Sequence, residues 1–356
     1  MKRSTPYAAS ACAALVLLLA VAGCDRKPRL VPEGADSTTT MTADSMAVYV
    51  QMAQQRWDSP DQIEEAAGLI ARVLFDDLRA HPDASVIGRA RDFLDSLRTG
   101  AELFGTDDLA VVNLFARSNP TAGSWPWIAW RDAEGSLRSQ ALDAIGMHLD
   151  GVSVDADEGE NVRVAALFTR TTGQGQSPYV FVWQKPPTGS MFRLAQSLGS
   201  DSLGTTGTAR LMDPGPSGVV LMSRTYQIMR GFSECPSCPH IYRTRSFRWG
   251  ATGLVSAADE VENTPYSSFV QFILALSAGD RELAAYHVAD PMVVETAIGY
   301  QFGQSRGLWR LSPGSTANAR ELILLRGSSE AYKVQFTRRG EEWLITSLEP
   351  SNRNIE

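Results

Sequence analysis

The chain is poor in the residues that most often carry catalysis or bind metals, with four cysteines and four histidines among 356 residues. It has no Gly-x-Ser-x-Gly elbow, phosphate-binding glycine loop or His-Glu-x-x-His helix, so no common hydrolase, nucleotide or zinc-protease site is predicted. Basic residues are also in deficit, and the net charge is −7. Excess acid argues against nucleic-acid partners and a polybasic membrane patch. We expect no cofactor.

A long hydrophobic run is lacking as well. The apolar stretch at 11–22 follows Lys2 and Arg3 and ends at Gly23 and Cys24. Because about 20 apolar residues are needed to cross a bilayer, this stretch is too short for a comfortable transmembrane helix. A basic start, a short apolar run and small residues at its end are typical of a secretory signal.

The end of this signal, Val21-Ala22-Gly23-Cys24, resembles the bacterial lipobox. The resemblance implies that residues 1–23 are removed, that the Cys24 sulfur receives a diacylglycerol and that the new N-terminus is acylated, for example with palmitate. Two or more acyl chains give stable membrane attachment. We therefore expect a lipid-anchored protein of the bacterial cell envelope that faces the periplasm or the exterior. Asp25 favours the inner membrane over the outer one.

The remaining cysteines form one close pair. Cys12 leaves with the signal and Cys24 carries lipid, which leaves Cys235 and Cys238. In an oxidising compartment such a pair is expected to form a structural disulfide. A Cys-x-x-Cys pair also resembles the redox pair of thioredoxin-like proteins, although a strand rather than a helix follows here. With His240 the pair could supply three metal ligands, but structural zinc needs four.

Composition and periodicity divide the chain into six parts. Ser59-Pro60 and Asp83 are typical helix starts, and apolar residues recur at helical spacing after each, which predicts a helical hairpin with a shorter helix before it. The predicted parts are a signal peptide at 1–23, a lipidated Cys and tether at 24–44, the helical hairpin region at 45–103, a β-rich domain at 104–263, a C-terminal α+β domain at 264–350 and a tail at 351–356.

The β-rich part contains short runs of strand-forming residues separated by turn residues, which predicts an antiparallel sandwich or barrel-like domain. A partial propeller is the alternative, disfavoured because no fixed repeat period is visible. Trp125, Trp127 and Trp130 could form a sugar-stacking face, but tryptophans that fill a β core are the preferred interpretation.

The C-terminal part combines helices with a closing hairpin. Thr264-Pro265 starts a helix, Gly279 ends it and Asp280 starts another, whereas Tyr332 to Leu348 alternate as two strands. With the stretches Ala278-Gly279-Asp280 and Trp343-Leu344-Ile345, this pattern resembles the NTF2-like superfamily. The resemblance implies a small cone-shaped domain of helices on an antiparallel sheet. That superfamily contains small-molecule enzymes as well as non-catalytic binding modules.

The predicted fold class is therefore α+β, and the leading functional hypothesis is a non-enzymatic binding or scaffold module for another envelope protein. One alternative is a thiol-disulfide or metal-dependent protein that uses Cys235, Cys238 and His240. Another is a small-ligand binder whose C-terminal domain has a pocket lined by Tyr286, Tyr300 and Trp309. The scattered histidines His81, His148 and His287 receive no catalytic role.

Overall fold

The structure, a computed structural model, describes residues 42–351 apart from short gaps. These gaps are 58, 60, 98–99, 107, 117–122, 133, 143–145, 157–160 and 235–237. The predicted signal, the lipobox with Cys24, nearly all of the tether and most of the C-terminal tail therefore lie outside the described residues, and so does Cys235.

The described part is an α+β protein rich in antiparallel strands. Its helices are α1 (Ala43–Arg56), α2 (Ile63–Ala80), α3 (Val86–Asp95), α4 (Ser200–Leu203), α5 (Pro265–Ala278), α6 (Arg281–Tyr286) and α7 (Met292–Gly299). Its strands are β1 (Gly100–Gly105), β2 (Leu109–Phe115), β3 (Ser124–Arg131), β4 (Leu137–Ala141), β5 (His148–Ala156), β6 (Val162–Thr172), β7 (Gly175–Lys185), β8 (Arg193–Leu198), β9 (Thr206–Leu211), β10 (Val219–Tyr226), β11 (Tyr242–Trp249), β12 (Leu254–Val261), β13 (Trp309–Leu311), β14 (Glu321–Arg326), β15 (Glu330–Arg339) and β16 (Glu342–Pro350). None of these helices is long and apolar enough to cross a membrane.

The strands form four separate sheets, each an up-and-down meander of four consecutive strands. Sheet A contains β1–β4, sheet B β5–β8, sheet C β9–β12 and sheet D β13–β16. Sheets A, B and C stack in chain order, and their first strands β1, β5 and β9 contact one another in succession. The predicted antiparallel, β-rich middle is confirmed, and it consists of three open four-stranded sheets packed face to face. Each sheet has the four-stranded meander form that is also found in propeller blades.

The stacking explains the apolar runs of the central strands. In β2, Ala110, Val112 and Leu114 face the N-terminal helices. Leu109 and Val111 of the same strand face sheet B. Because both faces of the strand are buried, its sequence is a continuous apolar run rather than an alternation. The central strand β6 of sheet B is buried in the same way between sheets A and C.

Helices α1–α3 cover the outer face of sheet A, but their details differ from the prediction. Helix α2 begins at Ile63 rather than after Ser59, because Asp61 and Gln62 lie in a turn and Gln62 N–H donates to Ser59 O at 3.0 Å. Helix α3 is capped by Ser85, whose hydroxyl accepts from Gly88 N, and not by Asp83. Helix α2 packs more extensively on α1 than on α3.

The C-terminal part packs α5–α7 against sheet D around a separate apolar core. The predicted boundaries at Thr264, Gly279 and Asp280 are confirmed: Thr264 caps α5, Gly279 ends it in the left-handed region, and Asp280 caps α6. The third helix, α7, ends at Gly299. The reason is that Gln301 adopts a left-handed φ of 58°, which turns the chain away from the helix.

Candidate functional site

The connection between β10 and β11 carries the cysteine–histidine constellation and enters the C-terminal core. Phe232 pairs in parallel with Trp309. The backbone N–H of Trp309 donates to Gly231 O at 2.8 Å, and Ser233 N–H donates to Trp309 O at 2.8 Å. The buried side chains of Phe232 and Ile241 belong to the C-terminal core. Sheet C and the C-terminal part are thus held together by this connection.

A buried hydrogen-bond network lies on this connection. One carboxylate oxygen of Glu234 is 2.6 Å from His240 Nδ1, and the other accepts from the Tyr266 hydroxyl at 2.6 Å. The side chains of His240 and Glu234 are only 1% and 3% exposed. The two contacts use both oxygens of the Glu234 side chain. Glu234 therefore links the connection to α5.

Aromatic rings fix the plane of the imidazole. His240 stacks on Tyr226, with the ring centroids 3.5 Å apart and the planes 6° apart. Tyr242 meets the same imidazole edge-on, at 6.0 Å and 86°. These rings come from β10 and β11, the two central strands of sheet C. His240 therefore has one orientation, set by the carboxylate on one side and by the two rings on the others.

The two phenols of the site remain protonated at neutral pH. Burial, reinforced by the adjacent Glu234 carboxylate, raises the pKa of Tyr266 far above its usual value of 10. Burial, together with the neighbouring Tyr242 and Glu234, also raises the pKa of Tyr226. A neutral Tyr266 can donate to Glu234, and this hydrogen bond stabilises the buried carboxylate.

A cavity of about 310 Å³, the junction cavity, opens beside this network. It is lined by Gln174, Thr205, Thr206, Tyr226, Gln227, Ile228 and Glu234. Gln174 and Gln227 are exposed residues of this lining, whereas both oxygens of Glu234 are engaged by His240 and Tyr266. The volume is at the lower end of the range for small-ligand sites. The lining can hydrogen-bond to an uncharged polar group.

The structure locates part of the predicted cysteine site. Cys238 is disulfide-bonded. Cys235 lies outside the described residues, so its pairing with Cys238 stays a prediction. Among the residues that the structure describes, no three His, Cys, Asp or Glu side chains are grouped to hold a metal ion. The Nδ1 atom of His240 is directed at Glu234.

The structure does not bring together the three aromatic residues predicted to line a C-terminal pocket. Tyr300 and Trp309 lie in the C-terminal core, but Tyr286 is 57% exposed at a different cleft. The space beside Tyr300 and Trp309 is filled by Arg326, which is 2% exposed. Its guanidinium carbon is 5.1 Å from the ring centroid of Trp309 and 5.3 Å from that of Phe302. The side chain of Arg326 thus occupies the place where the sequence predicted a ligand cavity.

Hydrogen bonds fix the position of Arg326 among these aromatic rings. Its Nη1 donates to Gln301 O at 3.0 Å, its Nη2 to Tyr300 O at 3.1 Å and its Nε to Glu330 at 2.6 Å. The carbonyls belong to the turn after α7, and Glu330 begins β15. Arg326 therefore joins the helices to sheet D, as a planar guanidinium with several donors can.

The tryptophans of β3 belong to the core, as the preferred interpretation predicted. Trp127 and Trp130 are buried on opposite faces of sheet A, and Trp125 packs edge-to-face on Trp57. His148 is half-buried and packs edge-to-face against Phe115, whereas His81 lies beside Asp77 at the end of α2. We assign none of these residues to a ligand site.

Sequence reasoning singled out His240 and missed Glu234, Tyr226 and Tyr266. The sequence signal that could have found Glu234 is its position next to the cysteine pair. Tyr266 is 32 residues from Glu234, and no spacing rule links the two. Comparison with known proteins adds no assignment: no protein-family model matches the chain, and no curated protein sequence matches it significantly.

Proposed function

We propose that the protein is a lipid-anchored lipoprotein of the bacterial cell envelope and acts as a non-enzymatic binding or scaffold module for another envelope component. The anchor is Cys24 of the lipobox-like tetrad. The N-terminal lipid attaches the protein to the membrane. The sheets and the C-terminal part form the region that binds the other component. We also propose that residues 264–350 are an NTF2-like domain and that α2 and α3 form a helical hairpin.

The binding role is supported by the difference between the buried groups and the exposed groups around the junction cavity. The acid–base groups of the site, Glu234, His240 and Tyr266, are bonded to one another and buried. The exposed residues of the lining are Gln174, Thr205, Gln227 and Ile228, of which three have a polar side chain without an ionisable group. Such groups recognise a ligand by hydrogen bonding and leave its covalent bonds unchanged. The class of ligand that fits is an uncharged group with hydroxyls or amides, such as a sugar unit or a peptide backbone.

The anchor is tested in cells. The full-length chain and its Cys24→Ser variant are expressed in a bacterium with an outer membrane that is fed an alkyne-tagged palmitate. We expect only the wild-type chain to carry the tag and to be recovered in the membrane fraction. A wild-type chain that takes up no tag, or a Cys24→Ser chain that is still labelled, contradicts the anchor.

The cavity is tested with N-acetylglucosamine, which is uncharged and has several hydroxyls and one amide. Binding to the full-length protein in a neutral detergent is followed by calorimetry at millimolar ligand. The double variant Gln174→Ala/Gln227→Ala is expected to weaken binding about thirtyfold, since two lost hydrogen bonds of about 1 kcal/mol each remove about 2 kcal/mol. Gln304→Ala, at an exposed glutamine outside the cavity, is the matched control. Absence of heat, or equal binding by all three proteins, overturns the role of the cavity.

A further inference from the structure

A second cleft, of about 220 Å³, lies where the end of β12 meets the C-terminal part. We call it the carboxylate cleft, because the side chains of Glu262 and Glu342 belong to its lining. No lysine or arginine is among the described residues that line it. Its apolar surface includes Val261 and Trp343. The charge of the lining is therefore entirely negative when its histidine, His287, is neutral.

His287 is held rigidly in this lining. It follows the last residue of α6, and its backbone carbonyl accepts from Ile345 N–H of β16 at 2.9 Å. The side chain is half-buried. Burial lowers the pKa of His287 below its usual 6.5, although the carboxylate of Glu342 acts in the opposite direction. The imidazole is thus neutral at neutral pH and adds no cation to the cleft.

Glu342 is oriented within the cleft. The hydroxyl of Tyr286 donates to one of its oxygens. An ionised carboxylate has about four lone-pair positions, so this hydrogen bond leaves room for a second donor. Glu262 is bonded to Arg224 at 2.7 Å, but both side chains are more than 40% exposed. An ion pair of this kind is weak and can be exchanged for another donor.

The aromatic part of the lining suits a cation on an apolar stem. The rings of Tyr286 and Trp343 belong to the cleft together with the aliphatic Val261. The guanidinium carbon of Arg338 lies 6.0 Å from the ring centroid of Trp343, at the outer limit of the distance for a cation–π contact. Aromatic rings attract ammonium groups, and aliphatic side chains pack against a methylene chain.

We propose that the carboxylate cleft binds an alkylammonium group, such as the end of a lysine side chain or a small aliphatic amine. The ammonium would donate to Glu342 and Glu262, and its methylene stem would pack on Val261 and Trp343. The carboxylate cleft does not share a lining residue with the junction cavity. The proposal therefore goes beyond the proposed function, and either can fail without the other.

The experiment uses the full-length protein in a neutral detergent, labelled with 5-fluorotryptophan and followed by fluorine NMR. The resonance of Trp343 is assigned from its loss in Trp343→Phe. The probes are N-acetyl-lysine methylamide, its uncharged counterpart N-acetyl-norleucine methylamide, and butylamine. We expect both amines to shift the Trp343 resonance at millimolar concentration and the norleucine probe to leave it in place. An equal response to norleucine overturns the proposal.

Two variants test the carboxylate. Glu342→Gln is expected to weaken binding of the amines about tenfold, because a charge-assisted hydrogen bond becomes a neutral one. Glu349→Gln removes the same charge from the same strand, where Glu349 pairs with Lys333 at 3.4 Å, and should leave binding unchanged. Equal affinities for wild type and Glu342→Gln, with the other fluorotryptophan signals unmoved, overturn the proposal. Tighter binding of the lysine probe than of butylamine points to a lysine of a partner protein, and equal binding points to a free amine.

Discussion

The imidazole of His240 lies flat on the ring of Tyr226, with 3.5 Å between centroids and 6° between planes. The stack joins the end of the β10–β11 connection to the end of β10 itself. With Glu234 bonded to Nδ1 on the edge of the imidazole, the ring is constrained both in plane and in rotation. A histidine near two cysteines in the sequence therefore packs here behind Tyr226 and Glu234, two residues that line the junction cavity.

Replacing Glu234 by glutamine should destabilise the protein by about 2 kcal/mol. A carboxamide has only one acceptor atom, so it can satisfy both Tyr266 and His240 only if its NH2 group donates to Nδ1, which forces the ring proton of His240 onto Nε2 in a buried place. Urea unfolding of the full-length protein measures the change. Glu321→Gln, at an exposed carboxylate bonded to Gln335, is the control and should change the free energy of unfolding by less than about 0.5 kcal/mol. Equal losses in both variants would contradict the structural role of the network.

Replacing Arg326 by lysine should cost about 3 kcal/mol. An ammonium cannot donate in one plane to the Tyr300 and Gln301 carbonyls and to Glu330, and it leaves unfilled space among the rings. Arg310→Lys on the neighbouring strand β13, where the side chain is exposed, should be nearly neutral. Thermal and urea unfolding of both variants provide the measurement. A stable Arg326→Lys protein would show that the guanidinium geometry is unimportant.

Gly207 is required by the close approach of β9 to β10. Its φ is +141°, and a Cβ there would meet the carbonyl oxygen of Arg224 and lie 2.7 Å from Thr225 Cα. Gly207→Ala should therefore cost about 3 kcal/mol or more, from backbone strain together with the clash.

The control for this substitution is Gly135→Ala, also at a positive φ of +78° but with open space around the added Cβ. Its strain alone should cost about 1 kcal/mol. The difference between the two free energies of unfolding measures the clash together with the greater backbone strain at a φ of +141°. Equal costs would indicate that the sheet relaxes around the new methyl group.

The protein should lose stability in acid as the carboxylate of Asp77 becomes protonated. Two hydrogen bonds from Arg89 at 2.7 Å, from Nε and Nη2, lower the pKa of Asp77 below its usual 3.8. Since the folded pKa is lower than the unfolded one, this stabilisation is present above about pH 4 and is lost as pH falls through the folded pKa. In Asp77→Asn this part of the pH dependence should vanish. Chemical unfolding at several pH values from neutral to acid measures it, and an unchanged profile would contradict the assignment.

The local elements could be predicted because their signals are local. Thr264, Gly279 and Asp280 mark helix boundaries within one or two turns, and the alternation at Tyr332, Val334 and Phe336 marks a strand. Edge strands were harder to predict. Strand β12 is exposed at every residue after Leu254, so it has no apolar pattern to detect. Ser59 and Asp83 were plausible caps, but neighbouring residues had the better geometry.

The sequence by itself determined the α+β class, the positions of most helices and inner strands, and the isolation of one cysteine pair near His240. The tertiary structure decided that the strands form four meanders, three of them stacked, and that Arg326 fills the expected pocket. It also brought Tyr266 to Glu234 across 32 residues. The reason is physical: caps and periodicity act within a few residues, whereas stacking, burial of a charge and closure of a cavity depend on which distant surfaces meet.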